Sequence, residues 1–254
     1  VMDLLQAFTL GLVQGVTEFL PISSSGFLIL IPEFFGWDVQ DVAFDAVIHL
    51  ATLAAVVVAL WPDVASIRSG KNRKTIYKWL ALATVPVLIV GGVFELTDFG
   101  PRSAQVVAWS FILWGIVLYL VDRRASSPKD SIEKVGIKRA ISIGLAQAIA
   151  LIPGTSRSGI TITAGLHLGL SRETATKFSF LLGIPTIAIA GLVKLKDVIG
   201  GSVAIDALPL LVGFVTAGIT AFLTIKVLLA FLKTHSFAEL AILRVILGVL
   251  ILVL

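Results

Sequence analysis

The chain has 254 residues, 57% hydrophobic and only 14% charged, with a mean hydropathy of +1.01 and a formal net charge of +4. Soluble domains carry about 25% charged residues, so this composition cannot coat a water-soluble fold and points to an integral membrane protein. The absence of cysteine excludes disulfides and thiolate chemistry. The modest positive charge sits mostly in two loops, and no nucleic-acid partner is expected.

Residues 4–20 are apolar and could nearly cross a bilayer. They lack a basic leader and carry Glu18, so no cleaved signal is expected. Pro21 ends this segment, and Ser23, Ser24, Ser25 and Gly26 follow. The apolar stretch 27–31 is too short to cross back. The linker 32–41 has acids and no cation. Residues 43–60 form the first long apolar run, followed by a basic loop at 62–78. The runs 79–94 and 104–121 flank a short turn at 98–103, and a second basic loop covers 122–139. A second polar break, Pro153-Gly154-Thr155-Ser156-Arg157-Ser158-Gly159, follows a further apolar segment. The runs 178–193, 208–232 and 237–254 complete the chain. The long runs approach the roughly 20 residues that span a bilayer as helix. Alternating ten-residue strands of an outer-membrane barrel are absent from the pattern.

The two polar breaks match. A shift of 133 takes Gln14 to Gln147, Gly11 to Gly144, Ser23 to Ser156, Ser24 to Arg157, Ser25 to Ser158 and Gly26 to Gly159, and it also takes Gly115 to Gly248. The expected fold is therefore an all-α polytopic membrane protein of two inverted repeats. Each holds a re-entrant or broken helical hairpin plus three transmembrane helices. Residues 1–121 form the first repeat, 122–139 a basic cytoplasmic loop and 140–254 the second repeat, the repeats interdigitating as one membrane domain. Broken backbone at membrane depth survives only where it lines a cavity or is packed in protein.

Gln14 and Glu18 lie four apart, on one helix face. A carboxylate in such a segment marks a functional site. Glu18 can serve as general base, as metal ligand, or as the partner of Arg157, and Gln14 can orient a water or phosphate or lend an oxygen to a metal. Ser23, Ser24 and Ser25 stand where a half-helix begins. There they can cap it, bind an anion, or supply a nucleophile beside a carboxylate. Arg157 brings a planar fork suited to phosphate oxygens, flanked by hydroxyls from Thr155, Ser156, Ser158 and Thr161.

Gln14-x-x-x-Glu18, Pro21-x-Ser23-Ser24-Ser25-Gly26 and Pro153-Gly154-x-Ser156-Arg157-Ser158-x-x-Thr161 together resemble the undecaprenyl-pyrophosphate phosphatases, the membrane bacitracin-resistance family. The likeness covers essentially the whole chain. It implies hydrolysis of undecaprenyl diphosphate to the monophosphate in the cytoplasmic (inner) membrane, recycling the lipid carrier of cell-wall synthesis. Carried over by residue, it implies Gln14 and Glu18 as the family's acidic pair, Ser24 as the proposed nucleophile, and Ser156, Arg157 and Thr161 as the diphosphate-binding set. Gln14, Glu18, Ser24 and Arg157 are thus the expected catalytic residues, and Ser23, Ser25, Gly26, Thr155 and Ser158 are expected to join Ser156 and Thr161 in binding substrate. A divalent cation, Mg or Ca, would be held by Glu18 and Gln14. The implied partners are the polyprenyl diphosphate and membrane lipids, with room for a homodimer. One departure is Phe27, where many members carry a histidine. His49, His167 and His235 lie elsewhere and read as interface or packing residues. A transporter or flippase of a phosphorylated polyprenyl lipid is the alternative, since broken helices meeting at the midplane also suit transport.

The positive-inside bias generates a topology test. Cysteines at Asp38 and Phe99 should react with an impermeant reagent in intact cells, and those at Asn72 and Lys129 only after permeabilisation. Labelling at Asn72 in intact cells would overturn the assignment.

Overall fold

The computed structural model describes residues 2–97, 103–125, 130–199 and 206–253, with backbone alone at Val42, Glu95 and 194–199. Within these, eleven α-helices account for nearly all the regular structure: α1 (Leu4–Thr17), α2 (Ser24–Phe35), α3 (Val42–Ala59), α4 (Trp61–Ser69), α5 (Arg73–Thr97), α6 (Ala104–Arg124), α7 (Gly136–Ala148), α8 (Arg157–His167), α9 (Arg172–Ile199), α10 (Ala207–Phe231) and α11 (Ala238–Val253). The expected turn at 98–103, with Phe99, falls almost wholly outside the described residues, as does Lys129.

Among the described residues, four helices are long and apolar enough to cross a membrane: Arg73–Phe94, Ala104–Arg124, Arg172–Val193 and Ala207–Phe231. The bent pair of α3 and α4, with 65° between them, makes a fifth span if counted as one. α11, the last apolar run, has 16 residues. The polar stretch at 62–78 is not the open loop expected. Pro62 sits in the first turn of α4, where its missing N–H costs nothing, and α5 begins already at Arg73.

The short helices are the broken ones. α1 and α2, with 14 and 12 residues, flank the first polar break, and α7 and α8, with 13 and 11, flank the second. None reaches the length of a span. The helix order recurs at the shift of 133, placing α1 over α7, α2 over α8, α3 over α9, α5 over α10 and α6 over α11. Contacts recur as well. A Cβ on Gly115 would meet Ala241 O and Val245, and one on Gly248 would meet Ala108 O and Ile112, the same pairs with the halves exchanged.

Small residues let the backbones close in, as helix association without a hydrophobic gradient requires. Gly11 and Gly15 face Gly213 and Ala217 on α10, and Gly144 faces Ala83 on α5. At the end carrying the basic loops, buried Asp122 gathers three elements. It accepts from Arg172 Nε at 2.7 Å and from the Phe237 N–H at 3.1 Å, joining α6, α9 and the start of α11. Nearby, Lys177 pairs with Asp63 and Glu173 at 3.0 and 3.1 Å. Asp130 accepts from the hydroxyl and N–H of Ser171 and from Thr174. Burial opposes its ionisation, but these donors outweigh it and hold the carboxyl below its ordinary range.

A Cβ on Gly11 would sit 2.6 Å from Gly213 O, whereas one on Gly92 would meet nothing within 4 Å. Gly11→Val should therefore cost about 1–3 kcal/mol of stability by forcing α1 off α10, and Gly92→Ala should cost nothing. Unfolding of the two variants in detergent measures the contrast.

Candidate active site

The two breaks are built alike and face each other. Ser23 and Ser156, each the residue before its half-helix, have φ of 79° and 69°, and they are the only non-glycine residues with positive φ among those described. Such backbone costs about 1–3 kcal/mol and persists where surroundings impose it, commonly at functional sites. In each break the hydroxyls two apart bond at 3.2 Å, Ser23 to Ser25 and Ser156 to Ser158. Ser156 also caps α8 by accepting the Gly159 N–H at 3.0 Å. Ser24 and Arg157 occupy the first position of their helices, at a helix end where unpaired N–H groups favour anions.

Glu18 is the hub. Its Oε2 accepts from Ser24 Oγ at 2.7 Å and from Gln14 Nε2 at 3.0 Å, and its Oε1 accepts from Arg157 Nη2 at 2.8 Å. Gln14 Oε1 is buried with no hydrogen-bond partner. Arg157 is aimed by a second bond, from Nη1 to Ser179 O at 3.2 Å, and by the Phe19 ring 5.9 Å from its guanidinium carbon. Gly183 leaves it room, since a Cβ there would lie 2.4 Å from Nη1.

A cavity of about 330 Å³ opens onto this cluster. Glu18, Ser23, Ser24, Ser25, Ser156 and Arg157 line it, so six of the residues expected from sequence converge on one space. The others lie behind the wall. Gln14 holds Glu18, and Gly26 packs against the Phe111 ring. Ser158 donates to Glu18 O and Leu20 O at 3.1 and 3.0 Å, and Thr161 donates to Arg157 O while bonding Ser179 Oγ at 2.7 Å. Thr155 is fully buried with its hydroxyl unpartnered.

Two residues escaped the sequence reading. His49, expected to pack at an interface, instead lines the cavity, with Nε2 3.7 Å from Glu18 Oε2. Its Nδ1 lies 2.6 Å from Asp45 O, which can only accept, so Nδ1 carries the proton and the other nitrogen faces the site. Phe27 meanwhile packs against Phe111. Arg244, on α11, is the largest fully buried side chain described. It donates to Pro21 O in the first break at 3.1 Å and to Gly154 O and Thr155 O in the second, with its guanidinium carbon 5.6 Å from the Phe111 ring centroid. An arginine within an apolar run was the available signal.

Fold and site together define a polytopic helical membrane protein with a buried carboxylate–serine–arginine cluster. The family model "Bacitracin resistance protein BacA" matches residues 7–250, and the chain belongs to that family. It is 42% identical over 259 residues to the undecaprenyl-diphosphatase of Idiomarina loihiensis, covering 98% of this chain and 97% of the relative. It is 44% identical over 270 residues to undecaprenyl-diphosphatase 2 of Stutzerimonas stutzeri, covering 100% and 98%. The undecaprenyl-diphosphatase of Marinobacter nauticus is 43% identical, with 97% of each chain covered.

Arg244→Met should leave the Pro21, Gly154 and Thr155 carbonyls without their charged donor. Each buried group left unpaired costs about 1–3 kcal/mol, so the variant should lose about 3 kcal/mol or more in detergent unfolding. Arg244→Lys should recover part of it, and wild-type stability of the Met variant would refute the clamp.

Proposed function

We propose that this protein is an undecaprenyl-diphosphate phosphatase of the cytoplasmic membrane, cleaving the terminal phosphate and returning the lipid carrier as monophosphate. The observation that carries it is Glu18 bonded at once to Ser24 and Arg157 at the wall of one cavity. A serine hydroxyl donating to a carboxylate is the pattern of an activated nucleophile. A guanidinium beside it supplies the fork for phosphate oxygens. Carrier recycling and bacitracin resistance are the cellular roles this activity implies. The matched element order supports reading the halves as inverted repeats, with the two breaks meeting inside the membrane.

Ser24 Oγ attacks the terminal phosphorus as its proton passes to Glu18, and the bridging P–O bond breaks to release polyprenyl monophosphate. Glu18 hands that proton to the departing monophosphate; water then attacks the phosphoserine, gives a proton to Glu18, and Glu18 returns it to Ser24 Oγ as phosphate leaves. Arg157 and the N–H groups opening α2 and α8 stabilise the charge that builds on phosphate oxygens. His49, with Nε2 3.7 Å from Glu18 Oε2, can hold or return that proton. A divalent cation, Mg or Ca, would find two hard oxygens in Glu18 and the unpartnered Gln14 Oε1. Among the described residues no group of three or more His, Cys, Asp or Glu could hold a metal, so Glu18, at the cavity wall, would be its main ligand, with Gln14 buried behind it. The ion would neutralise phosphate charge.

Phosphate release from undecaprenyl diphosphate in detergent tests the reading. Arg157→Lys, which keeps charge and loses the fork, should lower kcat/KM about 10²-fold. Glu18→Gln should lower it at least about 10²-fold. Ser24→Ala should abolish turnover with binding retained. Activity of Ser24→Ala within about tenfold of wild type, about 1.4 kcal/mol in barrier, would rule out the covalent route and leave direct attack by water.

A further inference from the structure

Below the site lies a second, apolar crevice that the reaction does not use. It has a volume of about 330 Å³ and is lined by Val57 of α3, Leu80 and Ala81 of α5, and Leu181, Ile184 and Pro185 of α9, among others. We propose that this crevice binds the isoprenoid tail of the substrate, an assignment that rests on the diphosphatase reading.

The first argument is continuity. The same three helices wall the catalytic cavity, through His49 of α3, Val87 of α5 and Ile187 of α9. From cavity to crevice the lining steps from 49 to 57, from 87 to 80, and from 187 to 184 and 181. At 1.5 Å per residue each step carries the wall about 5–12 Å along its helix. All three steps run toward one end. α5 follows α4, and Asp63 of α4 pairs with Lys177 near the start of α9, so both helices begin at the end of the molecule where α3 finishes. The crevice therefore follows the cavity along the same three helices toward that end, with a wholly apolar stretch of wall where a hydrocarbon chain would continue from a diphosphate held above.

The second argument is a break in the repeat. At the shift of 133, α5 and α9 correspond to α10 and α3. α3 and α10 pack closely, whereas α5 and α9 touch much less. α5 carries Pro86 and α9 carries Pro185 in mid-helix, each lacking the N–H that would bond the preceding turn, while α10 has a proline only near its start and α3 has none. The pair that bounds the crevice is the pair with the prolines, and Pro185 itself lines it.

Ala81 is exposed and Ile184 half-buried, so both Ala81→Trp and Ile184→Trp should fill the crevice without disturbing the fold. Each variant is assayed on undecaprenyl diphosphate and on isopentenyl diphosphate at millimolar concentration, whose five-carbon chain is too short to leave the cavity. The expected result is a fall of at least fivefold in the ratio of kcat/KM for the long substrate over the short one, carried by KM. A smaller change in that ratio in both variants overturns the assignment, whether both activities survive or both fall together. That is the outcome if the crevice holds only bulk lipid. Wild-type protein that hydrolyses neither substrate fails differently: it overturns the diphosphatase reading and this assignment with it.

Discussion

Two helix breaks inside an apolar body leave carbonyls that water does not reach, and the fold answers by having side chains from elsewhere satisfy them. Ser158, from the second break, donates to Glu18 O and Leu20 O in the first. Arg244, from the last helix, donates to Pro21 O on one side and to Gly154 O and Thr155 O on the other. Neither break is complete alone. The backbone rule that forbids exposed irregular segments in hydrocarbon therefore presses the two loops together, and Glu18, Ser24 and Arg157 come with them.

The Glu18–Arg157 pair is the other product of that juxtaposition. A buried ion pair seldom adds much net stability, but removing one partner costs about 3–5 kcal/mol because a charge is stranded. Here each charge is held from a second direction: Glu18 by Gln14 and Ser24, Arg157 by Ser179 O. The positions of carboxylate, hydroxyl and guanidinium are set by bonds present before any substrate enters, which is the condition for electrostatic catalysis.

The polar core of the site was legible because polarity is rare in this chain. Gln14, Glu18, Ser24 and Arg157 stood out against apolar neighbours, and the repeat put the two breaks side by side. Proline and helix-start chemistry placed the breaks between the right residues. What escaped did so for physical reasons. Arg244 lies in an apolar run that looks like any span, and only tertiary packing turns it into a carbonyl clamp. His49 reaches Glu18 from a helix 31 positions away, a distance no local spacing encodes. Thr161 and Ser158 carry the hydroxyls of binding residues, yet their bonds go to backbone and to Ser179. Residues 61–69 form a helix although their polarity suggested a loop, because Pro62 suits a first turn and Val64 and Ile67 pack against the core.

The repeat also has a consequence at its two most informative positions. Two half-helix starts built alike and lining one cavity offer a ligand two similar ways to lie. A diphosphate, with one bare end and one esterified end, must be read in only one. At the first residue of each half-helix the chain carries Ser24 on one side and Arg157 on the other. Glu18 is unmatched too, since the shift of 133 puts Leu151 there, so hydroxyl and carboxylate stand on one side of the cavity and the cation on the other. The site thereby has a head and a tail, and a molecule bound backwards would offer its charge to the hydroxyl and its ester to the cation.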